Sequence, residues 1–532
     1  MIHDNLLLII SLLFVVSMLT MLSEKLRISY PIFLVIAGLV ISFIPGAPHM
    51  QLEPDWVFLI FLPPLLYGAA WNTSWTDFWR ARRSIILLAV GLVVFTASTV
   101  AFVSYMIIPG FTLALGFLLG GIISPPDAVA ATSVLHGLKV PKRVVTILEG
   151  ESLLNDASSL IVFRVALATV PTGHFIFWQA GKDFLVVSLM GILIGLVIAH
   201  IMYVVHRFFP TTPSIDTALT FIAPYLMYIS AEHFHYSGVL AVVSGGLFLS
   251  FRSHEIFTYN SRMQTTYVWD TVTYLLNGIV FILIGLQLQE VTNGLGNYSI
   301  AESIGYGVVI SIVSIIIRII WVFPGTYLPR MLSRKVKEKE PAPSWRAVFI
   351  VAWSGMRGVV SLASALAIPL TLGQHAFPAR DLILFITFVV ILITLVAQGL
   401  SLPLIIRWLK VEDDEDNVKE QNTQINLQLA TVSLDYMTSA YDGEIINFRP
   451  FTSLKERYER IVNTAEARLR DNDPDMPALE HVRTYRKMLL EIVNVKRIEL
   501  QKLRREKDFP DELIRSKERE LDLEEARLRD SP

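Results

Sequence analysis

The chain has 532 residues, 53% of them hydrophobic and 17% charged, with a formal net charge of −2, and its mean hydropathy is +0.53. That is too apolar for a soluble enzyme and long enough for a large helical membrane domain. The absence of cysteine excludes disulfides and thiolate metal sites, and the near-neutral charge gives no reason to invoke nucleic acid.

The charges are unevenly placed. Residues 1–410 hold 24 Lys+Arg and 19 Asp+Glu, whereas residues 411–532 hold 21 and 28. Two regions follow: a transmembrane body of net +5 and a soluble tail of net −7.

An apolar run over 5–23 has no preceding basic residues and no small-residue cleavage site after it, so it is expected to stay as a first span rather than be removed as a signal peptide. At roughly 20 residues per crossing, further spans are expected near 30–45, 54–71, 84–108, 112–135, 144–170, 176–205, 214–231, 236–251, 265–289, 300–328, 346–371 and 380–408. The total is about thirteen transmembrane helices. Basic residues gather on alternate connections, from Lys25 and Arg27 through Arg80, Arg82 and Arg83, Lys139, Lys142 and Arg143, Arg207, Arg252 and Arg262, to the cluster Arg330–Arg346. They number 17, against only Lys182 and Arg380 on the other connections. Lys and Arg mark the cytoplasmic side, so the N-terminus is expected outside and the tail in the cytoplasm. An odd count suits two inverted six-helix repeats around a linking seventh helix.

In that arrangement span five corresponds to span twelve, and both are interrupted. Ser124-Pro125-Pro126-Asp127 breaks the first and Ser354-Gly355-Met356-Arg357-Gly358 loosens the second, because proline removes a backbone donor and glycine lowers the cost of unwinding. Non-helical backbone at membrane depth is tolerated only where it is buried in protein or lines a cavity. Asp127 could act simply as the N-cap of the second half-helix, or as a hard oxygen ligand for a small cation.

Span six carries Glu149-Gly150-Glu151-Ser152-Leu153-Leu154-Asn155-Asp156. Ser152, Asn155, Asp156 and Ser159 stand at i, i+3, i+4 and i+7, which makes one polar stripe. An ionisable group there costs at least ~2.5 kcal/mol to insert, so Asp156 marks an ion or proton path; the bland alternative is a hydrogen-bonded packing group. Arg357 cannot lose its proton and needs a buried partner, for which Glu151 is the expected choice, as a structural pair rather than a transport ligand. Arg164 and Arg318 can snorkel or pair and receive no function. Glu232, His233 and His235 resemble a metal cluster only superficially, since His-x-His suits a strand or loop.

Past Lys410, the acidic run Glu412–Asp416 suits a solvated linker. Residues 424–440, 452–470, 477–508 and 511–530 have helical patterns, with Tyr485, Leu489, Ile492 and Val495 as an amphipathic face. No Gly-rich phosphate loop or nucleophile elbow appears, so a second, catalytic domain is not expected and the chain is not an enzyme.

Over residues ~5–408 the chain resembles the monovalent cation:proton antiporter family, in particular its bacterial-type electroneutral sodium/proton exchanger branch. Glu149–Asp156 is similar to that branch's Asn-Asp signature. Ser124–Val129 is similar to its unwound fifth helix, and Gly355–Ser361 to its arginine-bearing helix. The resemblance implies a homodimer with a dimerisation domain and a moving ion-carrying core. It implies that Asp156 binds cation or proton, that Asp127 and Ser152 assist, that Asn155 organises the site and that Glu151 pairs with Arg357. One departure stands out: after Phe58–Leu66, where many members place a carboxylate, this chain has Tyr67-Gly68-Ala69-Ala70.

The expected function is electroneutral antiport, exporting sodium, potassium or lithium for an incoming proton, with no cofactor beyond the transported ions. Desolvation penalises a bare Asp156 anion, so proton and cation would compete for it. A cation channel would lack obligatory exchange, and a scaffold or sensor working through its tail would survive loss of Asp156. The tail is expected to be regulatory or dimer-stabilising, with an unknown ligand.

Overall fold

The computed structural model describes residues 2–44, 57–138, 140–172, 177–295, 298–332, 334, 342–372, 375–411, 415–445, 449–470, 476–506 and 511–530. Of the residues read from sequence, Lys139, Lys335, Lys337, Lys339 and the acidic residues 412–414 lie outside the described residues. The chain divides into two compact units, Met1–Asp413 and Asp414–Pro532.

The first unit is helical. Its helices are α1 (Ile2–Leu26), α2 (Tyr30–Ser42), α3 (Leu62–Asn72), α4 (Trp75–Ile107), α5 (Leu113–Ile123), α6 (Ala128–Leu135), α7 (Lys142–Thr172), α8 (Phe177–Phe208), α9 (Pro213–His233), α10 (Gly238–Ile256), α11 (Tyr259–Leu286), α12 (Leu288–Asn293), α13 (Ile300–Leu332), α14 (Trp345–Trp353), α15 (Val359–Leu366) and α16 (Arg380–Leu409). Among the described residues, eight helices are long and apolar enough to cross a membrane. On α8 the residues Leu185, Leu189, Leu193 and Ile201 are all exposed, as expected of a helix side that meets lipid rather than water.

Serine and threonine start many of these helices, since their side-chain oxygens accept an otherwise orphaned backbone N–H. Ser74 accepts from the N–H of Asp77, Thr112 from Leu115 and Ser344 from Ala347. The Ser74 cap places the start of α4 at Trp75, nine residues before the expected 84. The basic residues Arg80, Arg82 and Arg83 therefore ride on a helical turn rather than in a loop. At the other end of the unit, α15 stops at Leu366, and the chain makes a two-residue antiparallel pair, Thr371–Leu372 with His375–Ala376, before α16. Among the described residues, turns of π-helix widen three places: Val57–Phe61 ahead of α3, Leu87–Leu92 inside α4 and Thr394–Gln398 inside α16.

Two apolar clusters hold the unit. One packs Leu118, Leu119, Ile122, Ile310, Leu384 and Phe388 around α5, α13 and α16; the other packs Leu66, Tyr67, Met227, Val242 and Trp269 around α3, α9, α10 and α11. Close backbone approach supplements them. On α5, Gly116 and Gly120 face Ala101 and Ala97 of α4 so closely that a Cβ on either glycine would run into helix backbone, the small-residue packing usual between membrane helices.

The second unit comprises α17 (Glu415–Ile445), α18 (Arg449–Arg470), α19 (Met476–Glu506) and α20 (Asp511–Asp530). Within it α17 packs on α18 and α19 on α20. Across the latter pair, Arg497 reaches Asp522 at 2.6 Å and Glu525 at 2.7 Å, and Lys496 reaches Glu524 at 3.0 Å. The Arg497 and Arg529 guanidiniums hold the Glu525 carboxyl below the usual carboxylate range. The expected apolar face of α19 needs correcting in part: Leu489 is half-buried, Ile492 and Val495 are exposed, and the side chain of Tyr485 lies outside the described residues. Among the described residues of this helix the buried one is Val493, with Ile514 and Leu521 buried on α20.

Candidate cation site

The two broken helices meet at their breaks. Helix α5 ends at Ile123 and α6 begins at Ala128; α14 ends at Trp353 and α15 begins at Val359. Each break exposes the positive end of one half-helix and the negative end of another, because terminal N–H and C=O groups lack intrahelical partners. The chain meets both kinds of end with charged side chains.

Asp127 serves the N-terminal ends. Its Oδ1 accepts from the N–H of Val129 at 2.8 Å and of Ala130 at 3.4 Å, capping α6. Its backbone N–H donates to the carbonyl of Met356 at 2.7 Å, linking one break to the other. The second carboxylate oxygen lies against Gly358, the N-cap of α15, where a Cβ would overlap it. Capping is therefore part of what Asp127 does, and the residue also lines the cavity described below.

Arg357 serves the C-terminal ends. Its Nε donates to the carbonyl of Ile123 at 2.5 Å, an Nη donates to the carbonyl of Gly355, and its backbone N–H donates to Thr394 Oγ1 at 3.1 Å. The π turn at Thr394–Gln398 begins at that threonine. The expected Glu151–Arg357 pair is thus not what forms. Glu151 is held by Arg318, through a two-pronged contact of 2.6 and 2.7 Å, with both side chains 1% exposed. Arg318 also donates to the carbonyl of Val351 at 3.1 and 3.2 Å. The physical reason is geometric: a planar guanidinium matches a carboxylate edge to edge, and α13 presents Arg318 to Glu151 while the backbone carbonyls of the breaks already occupy Arg357.

Helix α7 runs past both breaks with the polar stripe turned toward them. Asn155 is fully buried and donates through Nδ2 to the carbonyl of Pro126 at 2.8 Å, an acceptor freed by the proline break; its Oδ1 is buried with no hydrogen-bond partner. Ser152 Oγ accepts from the N–H of Ala128 at 3.3 Å. Asp156, 7% exposed, lines a cavity of about 240 Å³ together with Asp127, Ser152, Thr132, Glu149 and Ser361. The structure brings Asp156, Asp127, Ser152 and Asn155 together, with Glu151 on the same helix but in the separate ion pair.

Gly68 also lines this cavity, with Asn72, Thr273 and Asn277. A Cβ at Gly68 would press on the Thr273 methyl, so the space beside this glycine is filled by α11. Outside the cavity, Arg164 pairs with Glu232 at 2.7 Å, and the other oxygen of Glu232 accepts from the N–H of Gly238; this commits Glu232 to protein contacts. His206 and Asp216 form a second buried pair at 2.8 Å between α8 and α9.

Sequence reasoning missed Thr394, Thr132 and Ser361, and for Arg318, read as able to snorkel or pair, it missed the partner Glu151. For Arg318 a signal was present: a lone arginine in the apolar run of α13 must have a partner at that depth.

Two broken helices crossing beside a carboxylate-lined cavity define a secondary transporter of ions. Residues 10–408 match the model of the family described as "Sodium/hydrogen exchanger, transmembrane", and the chain belongs to that family: it is an integral membrane cation/proton antiporter, not an enzyme. It is 30% identical to an "uncharacterized Na(+)/H(+) exchanger" of Mycobacterium tuberculosis, over 99% of this chain and 96% of the relative. It is 32% identical to the sodium, potassium, lithium and rubidium/H(+) antiporter of Bacillus subtilis, over 71% of this chain and 58% of that protein. In fold it is similar to the sodium proton antiporter MjNhaP1 from Methanocaldococcus jannaschii, with a TM-score of 0.59 at 20% identity over 76% of this chain and 98% of that one.

Proposed function

We propose that the protein exchanges one monovalent cation for one proton by alternating access, with Asp156 as the group that both ions share. The observation that carries this reading is the placement of Asp156 on the α7 stripe that touches the first break: Asp156 lines the cavity, its neighbour Asn155 is neutral and bonded to the break, Glu151 is tied to Arg318, and Glu149, which also lines the cavity, lies two turns away from Asp156. Ser152 and Asp127 supply further oxygens, and Asn155 holds the Pro126 carbonyl in place. Sodium is the leading substrate, with potassium and lithium as others, since relatives are named for one or several of these ions. One exchangeable charge per cycle makes transport electroneutral.

Around this site the reading places thirteen crossings in two inverted repeats. It makes the protein a homodimer in a bacterial plasma membrane, surrounded by lipid, with the N-terminus outside. The unit Asp414–Pro532 is then cytoplasmic and regulatory. Deleting residues after Lys410 should shift the pH response or the dimer equilibrium and leave exchange in place; a folded truncation that transports nothing would count against that role.

The decisive measurement is exchange in proteoliposomes offered sodium, potassium and lithium one at a time, with membrane voltage clamped during sodium transport by potassium and valinomycin. A cycle moving one net charge would be biased by ~2.3 kcal/mol per 100 mV. The reversal point for sodium should depend on the two concentration gradients alone. A reversal point that moves with voltage would show that Asp127 or another group carries additional charge.

A further inference from the structure

The oxygens assigned so far all come from α7 and the first break. The second broken helix walls the same cavity with Gly358, Val359, Val360 and Ser361, and among these only Ser361 has a polar side chain. Ser361 is 1% exposed, and its hydroxyl has no hydrogen-bond partner.

Many helical hydroxyls in this molecule bond back to a carbonyl three or four residues earlier: Thr132 to Ala128 at 2.9 Å, Thr387 to Ile383 at 2.8 Å, Thr394 to Val390 at 2.8 Å and Ser401 to Ala397 at 2.6 Å. Thr96 and Ser314 are also buried without a partner, but unlike Ser361 neither lines the cavity. For Ser361 the corresponding carbonyls are those of Arg357 and Gly358, which belong to the break. Gly358 is extended, with φ −137° and ψ −151°, and the Ser361 hydroxyl bonds to neither carbonyl. A buried hydroxyl without a partner is costly, and such groups are retained where something else satisfies them.

We propose that Ser361 Oγ is a ligand of the transported cation, supplied by the second broken helix opposite Asp156. The inference rests on the reading of the cavity as the cation site and extends it. Alkali cations are hard and bind through several oxygens, so a hydroxyl from the facing helix adds to the shell formed by Asp156, Ser152 and Asp127. It also lets a bound cation tie the two broken helices together, and it makes Ser361 a determinant of which cation is preferred.

The test uses the full-length protein with Ser361→Ala, Ser361→Cys and Ser361→Thr, each measured with sodium, potassium and lithium. Alanine removes the oxygen, cysteine keeps the volume but offers a soft sulfur that alkali cations bind weakly, and threonine keeps the hydroxyl. The alanine and cysteine variants are expected to raise the half-saturating sodium concentration about tenfold, the scale of one lost polar contact. They should alter the ranking of the three cations while keeping the maximal rate within about twofold. Threonine should restore the wild-type ranking. The sodium-dependent rise in melting temperature, a readout of binding that needs no transport, should shift to higher sodium in parallel. Wild-type half-saturation, ranking and sodium-dependent melting in both the alanine and cysteine variants would overturn the assignment. Absence of exchange in the wild type would instead bring down the reading of the cavity itself, so the two failures are distinct.

Discussion

Replacing Asp156 by asparagine is expected to reduce cation-dependent proton movement in proteoliposomes to background while leaving a folded protein. The side chains are almost the same size, and the residue is 7% exposed at the edge of a cavity, so the exchange creates neither a void nor a buried unpaired charge. What it removes is the ability to lose and regain a proton. Asp156 and Asp127 are the two carboxylates beside the breaks, and Asp127 already spends one oxygen as the cap of α6. Glu149 lines the cavity too, two turns earlier on α7, and does not touch the breaks in any hydrogen bond among the described residues. If cation and proton compete for one group, asparagine at position 156 leaves nothing for them to compete over. Sodium-jump assays with an internal pH dye, alongside gel filtration and thermal melting, separate lost function from lost fold. Wild-type exchange by a well-folded Asp156→Asn protein would remove the central claim of the mechanism.

Legibility from sequence followed the range of the interactions. The stripe Ser152, Asn155 and Asp156 is set by the helical period alone, and the break before Asp127 is set by two adjacent prolines; both are local, and both are found where the sequence places them. Their meeting was also expected, because a broken helix at membrane depth must face protein or a cavity. The partner of Glu151 was a different kind of question. Two arginines lay at comparable depth, Arg318 and Arg357, and the choice between them depends on how α13 and α14 pack against α7, which no short-range pattern encodes. The carbonyls that occupy Arg357 belong to the breaks themselves, so the signal that suggested an ion pair was the same one that removed the need for it. The start of α4 was misplaced because Arg80, Arg82 and Arg83 look like loop, yet they extend an amphipathic turn begun by the Ser74 cap. On α19 half-buried Leu489 shares a face with the buried Val493 while Ile492 and Val495 are exposed, because a helix rich in Lys and Arg tolerates several apolar faces and the packing partner selects among them.

Removing either member of the Glu151–Arg318 pair is expected to destabilise the protein by ~3–5 kcal/mol, the cost of leaving one buried charge uncompensated. Both side chains are 1% exposed and the contact is two-pronged, so neither partner can turn to water when the other is lost. Glu151→Gln and Arg318→Met should each lower the melting temperature of the solubilised protein markedly. The double replacement Glu151→Leu with Arg318→Met should recover much of the loss, because two apolar groups need no desolvation. Arg357 provides the contrast. It bonds to the carbonyls of Ile123 and Gly355 rather than to a carboxylate, so Arg357→Met should also destabilise, through orphaned carbonyls at the breaks, but without strong coupling to Glu151. A double-mutant cycle isolates the pairwise interaction, and the Glu151/Arg318 cycle should give the larger coupling. A larger coupling for Glu151/Arg357 would mean that the working protein holds Glu151 with the other arginine. The carbonyls of the breaks would then have to be satisfied by something else, such as water or the cation itself.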